Sequence, residues 1–139
     1  MHASGDVMTV GDATLTLWML QNSNVDLNER SGILRVELGD FSMLMLADLY
    51  EYGMEQILEQ QGPEWVKCNI LRYPHHGSQQ MPAEFSAVAD PDLIIITGAN
   101  NDRMGKKYAE SLGKQVIYTD ESIIRLTTDG TQWLGEYIQ

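Results

Sequence analysis

The stretch Ile70-Leu71-Arg72-Tyr73-Pro74-His75-His76-Gly77-Ser78 limits the possible folds of this chain more than any other. A run of strand-forming residues ends at a proline, and two histidines follow at once, before a glycine. Pro74 has no backbone N–H and stops a sheet ladder, which puts the histidines at the strand's carboxyl end. Gly77 permits a tight turn and close approach of a partner to the backbone. Open α/β sheets gather their ligand sites at that end. The competing reading is a turn whose two imidazoles are merely solvated.

The flanking sequence supplies the rest of a sheet. Val7–Val10 and Ala13–Leu20 read as strands joined at Gly11-Asp12, a hairpin signal. In the second of them Thr14, Thr16 and Trp18 alternate with Leu15, Leu17 and Met19, so one face is more polar. Gln21 to Arg30 is rich in Asn and charge and reads as a surface loop. Ile33–Leu38 is a strand with Leu34, Val36 and Leu38 inward and Arg35 and Glu37 outward. Phe41–Ala47 is apolar on both faces and therefore a central strand, with Met43 and Met45 as core filling.

Asp48 with Glu51 makes the D-x-x-E pattern of a helix start, and the helix should end near Gln61, before Gly62-Pro63. Trp65–Tyr73 is the strand leading to the histidines. Pro82 opens a short helix through Ala89, broken by Asp90-Pro91. Leu93–Thr97 is a buried strand, with Gly98-Ala99-Asn100-Asn101 as a loop at its carboxyl end. Lys106–Leu112 is a helix capped by Gly113. Three closing strands follow at Gln115–Thr119, Ile123–Thr127 and Gln132–Ile138, the last two joined by Asp129-Gly130.

At 139 residues with 43% hydrophobic content, the chain is one domain or part of one and can bury a core. A single cysteine, Cys68, excludes an internal disulfide and any multi-cysteine metal site, and reads as a small buried hydrophobe. No apolar run reaches the roughly 20 residues of a membrane span, and the start lacks the pattern of a signal peptide. Nine Lys+Arg against 20 Asp+Glu give a net charge of −11, which makes the chain a poor nucleic-acid binder by itself. A bound cation would still dominate its own surroundings.

Asp48, His75 and His76 all fall at strand ends, and a carboxylate with imidazoles suits zinc or manganese. Adjacent histidines do not normally point at one ion, so at most one of the pair is a ligand, and the other would donate a hydrogen bond or contact substrate. For Asp48 the competing role is a helix cap. Ser78 has no visible base and acid to activate it. Gly98–Asn101 is too short for a phosphate-binding loop and lacks its lysine. Lys106 and Lys107 read as a solvated helix start.

Several segments together resemble the second half of a metallo-β-lactamase-fold domain, of the kind at the carboxyl end of the bacterial competence DNA-uptake protein ComEC. Asn28-Glu29-Arg30-Ser31-Gly32-Ile33-Leu34-Arg35-Val36 resembles that family's Asn-then-Ser strand entry. Phe41 through Asp48 is similar to its apolar strand ending in Thr-Gly-Asp, and Tyr73 through Ser78 to its Pro-His-His-Gly-Ser. The tail from Val116 to Asp120, then Arg125 to Gly130, is similar as well. The likeness runs from about residue 7 onward. Against it, Ala47 stands where the family has glycine, and Met104-Gly105-Lys106-Lys107 replaces its Tyr-Gly-His-Pro. The family's main histidine cluster belongs to its first half and has no counterpart here.

The resemblance implies an α/β fold: a mixed β-sheet with helices on one face, half of an αββα sandwich, with residues 1–139 as one domain that forms the carboxyl half of a larger one. It implies Asp48 as a metal-bridging carboxylate, one of the pair, His75 by preference, as a metal ligand, and His76 as a catalytic residue that supports the ligands or contacts substrate. The parent would be a zinc- or manganese-dependent hydrolase of phosphoesters or nucleic acid, on the extracytoplasmic side of a bacterial membrane. The alternative is a degenerate domain kept for binding or assembly. Alone, this chain is expected to bind metal weakly or not at all. Its expected partners are the missing amino-terminal half and a second copy meeting it through an exposed apolar face.

Overall fold

The computed structural model describes residues 5–22, 24–98, 103–120 and 122–138. Its organising element is strand β4, Phe41–Met45, the middle of a seven-stranded sheet. On one side lie β1 (Val7–Val10), β2 (Ala13–Trp18) and β3 (Ile33–Leu38), each antiparallel to its neighbour. On the other lie β5 (Ile70–Arg72), β6 (Leu93–Ile96) and β7 (Gln115–Tyr118), all parallel to β4. The spatial order equals the chain order. β1 and β2 are joined by the two residues Gly11-Asp12, as the sequence predicts. The last two strands, β8 (Ile123–Thr128) and β9 (Trp133–Ile138), form a separate hairpin.

Parallel neighbours need crossovers, and helices supply them. The helices are α1 (Glu51–Gln61), the short α2 (Pro63–Val66), α3 (Ala83–Ala89) and α4 (Met104–Ser111). All four pack on one face of the sheet. There Leu44, Leu71, Tyr73, Ile94 and Ile96 meet Leu49, Met54, Ile57, Val66, Phe85 and Ala109 in a single core. The mixed α/β sheet with helices on one face is thus present.

The opposite face is covered over half its width. The β8–β9 hairpin lays Ile124, Leu126 and Trp133 over Phe41, Ile70, Leu93 and Ile95. It is tethered where the Gly130 carbonyl accepts from the N–H groups of Asp40 and Phe41. Beyond the hairpin that face stays open. Leu15 pairs with Val36 and Leu17 with Leu34, while Leu34 pairs with Met45, so these side chains form one half-buried apolar surface.

Which face of β3 turns to the helices differs from the alternation reading. Arg35 is buried on the helix side, where its guanidinium donates to the carbonyls of Trp65 at 2.7 Å and Lys67 at 2.9 Å. Leu34 and Val36 face the open side. Trp18, from the more polar face of β2, is likewise buried in the helix-side core. Alternation identifies two faces but not which one is covered, and here both are apolar in part.

Of the element boundaries that differ, two bear on the site. Trp65–Tyr73 is not one strand: Pro63 starts α2, and only Ile70–Arg72 pairs in the sheet. Asp48 is not a helix cap, because α1 begins at Glu51 with Tyr50 in the cap position and no side-chain bond from it. The cap comes from a distance. Glu29, in a 3₁₀ turn at Leu27–Arg30 within the expected surface loop, is buried, and its carboxylate accepts from the N–H groups of Gly53 at 2.8 Å and Tyr50 at 3.2 Å. A carboxylate suits the positive end of a helix.

Burial raises the Glu29 pKa above 4.5, outweighing the backbone N–H groups that lower it. A carboxyl with a raised folded-state pKa stabilises fully below its unfolded value and less as pH climbs through the folded one. The denaturation midpoint should therefore fall between about pH 4 and pH 7 more in the wild-type chain than in Glu29→Gln, which keeps an acceptor without the charge. Glu29→Ala leaves the two N–H groups unmet and should cost about 1–3 kcal/mol in urea unfolding at either pH.

Candidate functional site

Parallel strands share a carboxyl edge, and the polar groups singled out in the sequence collect there. Asp48 follows β4 and the two histidines follow β5. The two strand ends are stitched where the His75 N–H donates to the Ala47 carbonyl at 2.8 Å. Three residues at this edge hold left-handed backbone: Ala47 with φ 47°, His75 with φ 47° and His76 with φ 53°. Such conformations cost an L-residue roughly 1–2 kcal/mol each and cluster at functional sites. The histidine turn is held from behind by α4. A side chain at Gly105 would collide with the carbonyls of Gly77 and Gln79, so glycine lets the helix seat directly on the turn.

The two imidazoles diverge. His76 turns toward Asp48, with its Nε2 3.9 Å from Oδ1, and both side chains are close to half exposed. Its Nδ1 lies 3.0 Å from the carbonyl and 3.0 Å from the hydroxyl of Thr97. With the proton on Nδ1, that N–H donates to the carbonyl, and the Nε2 lone pair faces Asp48. That form can ligate a cation, and a backbone carbonyl behind the ring is the usual support for such a ligand. His75 instead packs its ring on Tyr50, with centroids 4.8 Å apart, and its buried Nδ1 has no hydrogen-bond partner among the described residues. The pair divides between two environments, as adjacency requires. His76 is the one beside Asp48.

A third residue belongs to this edge. Arg72 of β5 lies on the open side of the sheet, in register with Met45 and Ile95. Its guanidinium donates to the Ala47 carbonyl and, at 2.8 Å, to the Thr97 hydroxyl, so it ties the ends of β4 and β6 together. Burial lowers its pKa, and the nearby charge of Asp48 opposes that shift. Arg72, Asp48 and His76 line a cavity of about 470 Å³ whose other walls are Gly32, Leu34, Met45 and Ala47. The signal for Arg72 was available in the sequence. It is a charge in the largely apolar run that leads to the histidines, two residues before the proline.

The donors test poorly as a complete metal site. Two ligands on one tetrahedral zinc stand about 3.4 Å apart, given bonds of about 2.0–2.1 Å. The 3.9 Å between Asp48 and His76 is within a small side-chain rotation of that. Yet among the described residues no group of three His, Cys, Asp or Glu side chains could hold an ion. The pair amounts to half a site. Cys68 does not contribute, being buried, with its thiol pushed up to about 12 mainly by burial. Among the described residues the Ser78 hydroxyl is buried without a partner, and no base reaches it. Residues 99–101 of the Gly98–Asn101 loop lie outside the described residues.

The class defined by these observations is a mixed α/β protein with a carboxylate, an imidazole and a guanidinium at the carboxyl edge of its parallel strands. No protein-family model matches this chain, and no curated protein matches it. Among the described residues no helix is long and apolar enough to cross a membrane.

Ala47 offers a direct test of the strained edge. Glycine adopts positive φ without penalty, and its greater freedom in the unfolded chain offsets part of the gain. Ala47→Gly should raise stability in urea unfolding by about 0.5–1 kcal/mol, against the usual sign for placing glycine beside a strand.

Proposed function

We propose that this chain is the carboxyl half of a metal-dependent hydrolase domain of the metallo-β-lactamase type, ComEC-like, which acts on phosphoesters or nucleic acid when complete. The observation that carries the reading is the convergence of Asp48 and His76 from adjacent parallel strands to 3.9 Å. Two further features support it. Ala47 holds the left-handed conformation at the position where the family has glycine. The sheet face beside the pair is apolar and open, as expected where a second layer of a sandwich would sit.

In this reading Asp48 and His76 are donors to a metal, and the missing donors come from the other half of the sandwich. The resemblance gives the metal to His75; the geometry favours His76 and leaves His75 packed on Tyr50. A zinc ion held there would supply a bound water acidic enough to ionise near neutrality, and zinc or manganese alike would act as a Lewis acid. Thr97 orients the His76 ring, and Arg72 fixes the strand ends that carry both donors. The parent's place on the extracytoplasmic side of a bacterial membrane is part of the same proposal.

The test compares this chain with a longer protein that includes the residues encoded upstream of it. The 139-residue chain should bind zinc weakly in calorimetric titration at neutral pH and show no phosphodiester turnover with manganese. The longer protein should bind zinc stoichiometrically and turn over substrate, and Asp48→Ala should abolish both. Tight binding without turnover would favour the alternative of a domain kept for binding or assembly. A longer protein that binds no metal would end the hydrolase reading.

The open face gives a separate expectation. Leu15, Leu17 and Leu34 line an apolar depression of about 450 Å³ with Val7 and Met8. Exposed apolar patches recruit cover. Sedimentation velocity should show self-association as concentration rises, reduced in Leu17→Lys. A monomer at every concentration would count against a copy-to-copy contact there.

A further inference from the structure

We propose that the cavity at the carboxyl edge binds the phosphate of an organic phosphoester, with Arg72 as its anion-binding residue and Leu34 and Met45 as the wall for the organic group. The choice of a phosphoester rests on the hydrolase reading; the anion site itself rests on Arg72. Both hydrogen bonds made by this guanidinium go to neutral oxygens, the Ala47 carbonyl and the Thr97 hydroxyl. Among the described residues no carboxylate oxygen lies within 4.0 Å of it. Arg35, the other arginine embedded in the sheet, differs in this respect, with Glu37 at 3.1 Å. Arg72 is a half-buried cation held rigidly by neutral groups, and it retains N–H donors beyond the two in use.

Such a group recruits a counter-charge. A guanidinium stays protonated, so the burial that lowers its pKa cannot neutralise it. An oxyanion in the cavity would receive charge-assisted hydrogen bonds from it. Asp48, on the same wall, opposes an anion, and its charge raises the Arg72 pKa. The other walls, Leu34, Met45 and Ala47, are apolar and continue into the open sheet face. A bare anion would leave them wet, whereas an ester carrying a ring or alkyl group would cover them.

The distinguishing consequence is the sign of the Asp48 effect. As a metal donor, Asp48 is required. As a neighbour of the anion it repels, so its removal should strengthen binding. The experiment is an amide-resolved NMR titration of the full chain in EDTA at about pH 7.5, with phenyl phosphate and inorganic phosphate as probes. Phenyl phosphate should saturate with shifts centred on Gly32, Ala47, Asp48 and His76, and bind severalfold tighter than inorganic phosphate.

Arg72→Gln should weaken phenyl phosphate about tenfold or more, and Arg72→Lys should recover only part of the loss. If the tie to Ala47 and Thr97 proves necessary for folding, the spectrum of Arg72→Gln will show it, and Asp48→Asn then decides. That variant should bind phenyl phosphate severalfold tighter. No saturable shift, shifts spread over the surface lysines, or weaker binding in Asp48→Asn would overturn the anion site. Equal affinity for the two probes would overturn the apolar wall. Because EDTA removes metal, none of these results depends on whether the longer protein is a hydrolase.

Discussion

The parallel ladder from β4 through β7 is the constraint on which the rest of the molecule depends. Parallel strands cannot be joined by tight turns, so each step of the ladder returns through helical crossovers. Those helices cover one face and leave every strand's carboxyl end at the same edge. Asp48, His75, His76, Arg72 and Thr97 come from three strands far apart in sequence, and they meet because the ladder aligns those ends. Without it the motif residues would be isolated surface groups.

Edge loops are ordinarily soft, and this one is not. His75 N–H to Ala47, Arg72 to Ala47 and Thr97, and His76 to Thr97 join the ends of β4, β5 and β6 in a continuous set of bonds. These contacts hold three residues in left-handed backbone that none of them prefers. Local strain is tolerated when the surroundings over-determine the conformation, and here the surroundings include Gly105 of α4 pressed against the turn. A preorganised edge of this kind is what ligand binding requires, because little ordering remains to be done on association.

The two faces of the sheet divide the energetic work. The helix side is a closed core in which Tyr73, Phe85, Leu44 and Ile94 are fully buried. The other side relies on a two-stranded hairpin, which covers β4 to β7 and stops short of β1 to β3. Isolated hairpins are marginal, and this one is held by its apolar contacts and the Gly130 tether. The uncovered part adjoins the polar edge, so the cavity there is half charged and half apolar.

Much of the architecture was legible in residue order. Uniform apolarity marked β4 and β6 as interior strands, Gly11-Asp12 marked the first hairpin, and Pro74-His75-His76-Gly77 marked a strand end. These signals are local, arising from side-chain period, missing N–H groups and turn chemistry, so the sequence by itself determined them. What only the tertiary structure decided depends on partners distant in sequence. The face of β3 that is covered was set by where α2 placed the carbonyls of Trp65 and Lys67, which drew Arg35 inward. The cap of α1 was set by Glu29 reaching across from another segment, which released Asp48 from that role. Which histidine faces Asp48 was set by Thr97 on one side and Tyr50 on the other. Each is a competition among polar groups for the same few buried partners, and its outcome is fixed only once the ladder has brought the competitors together.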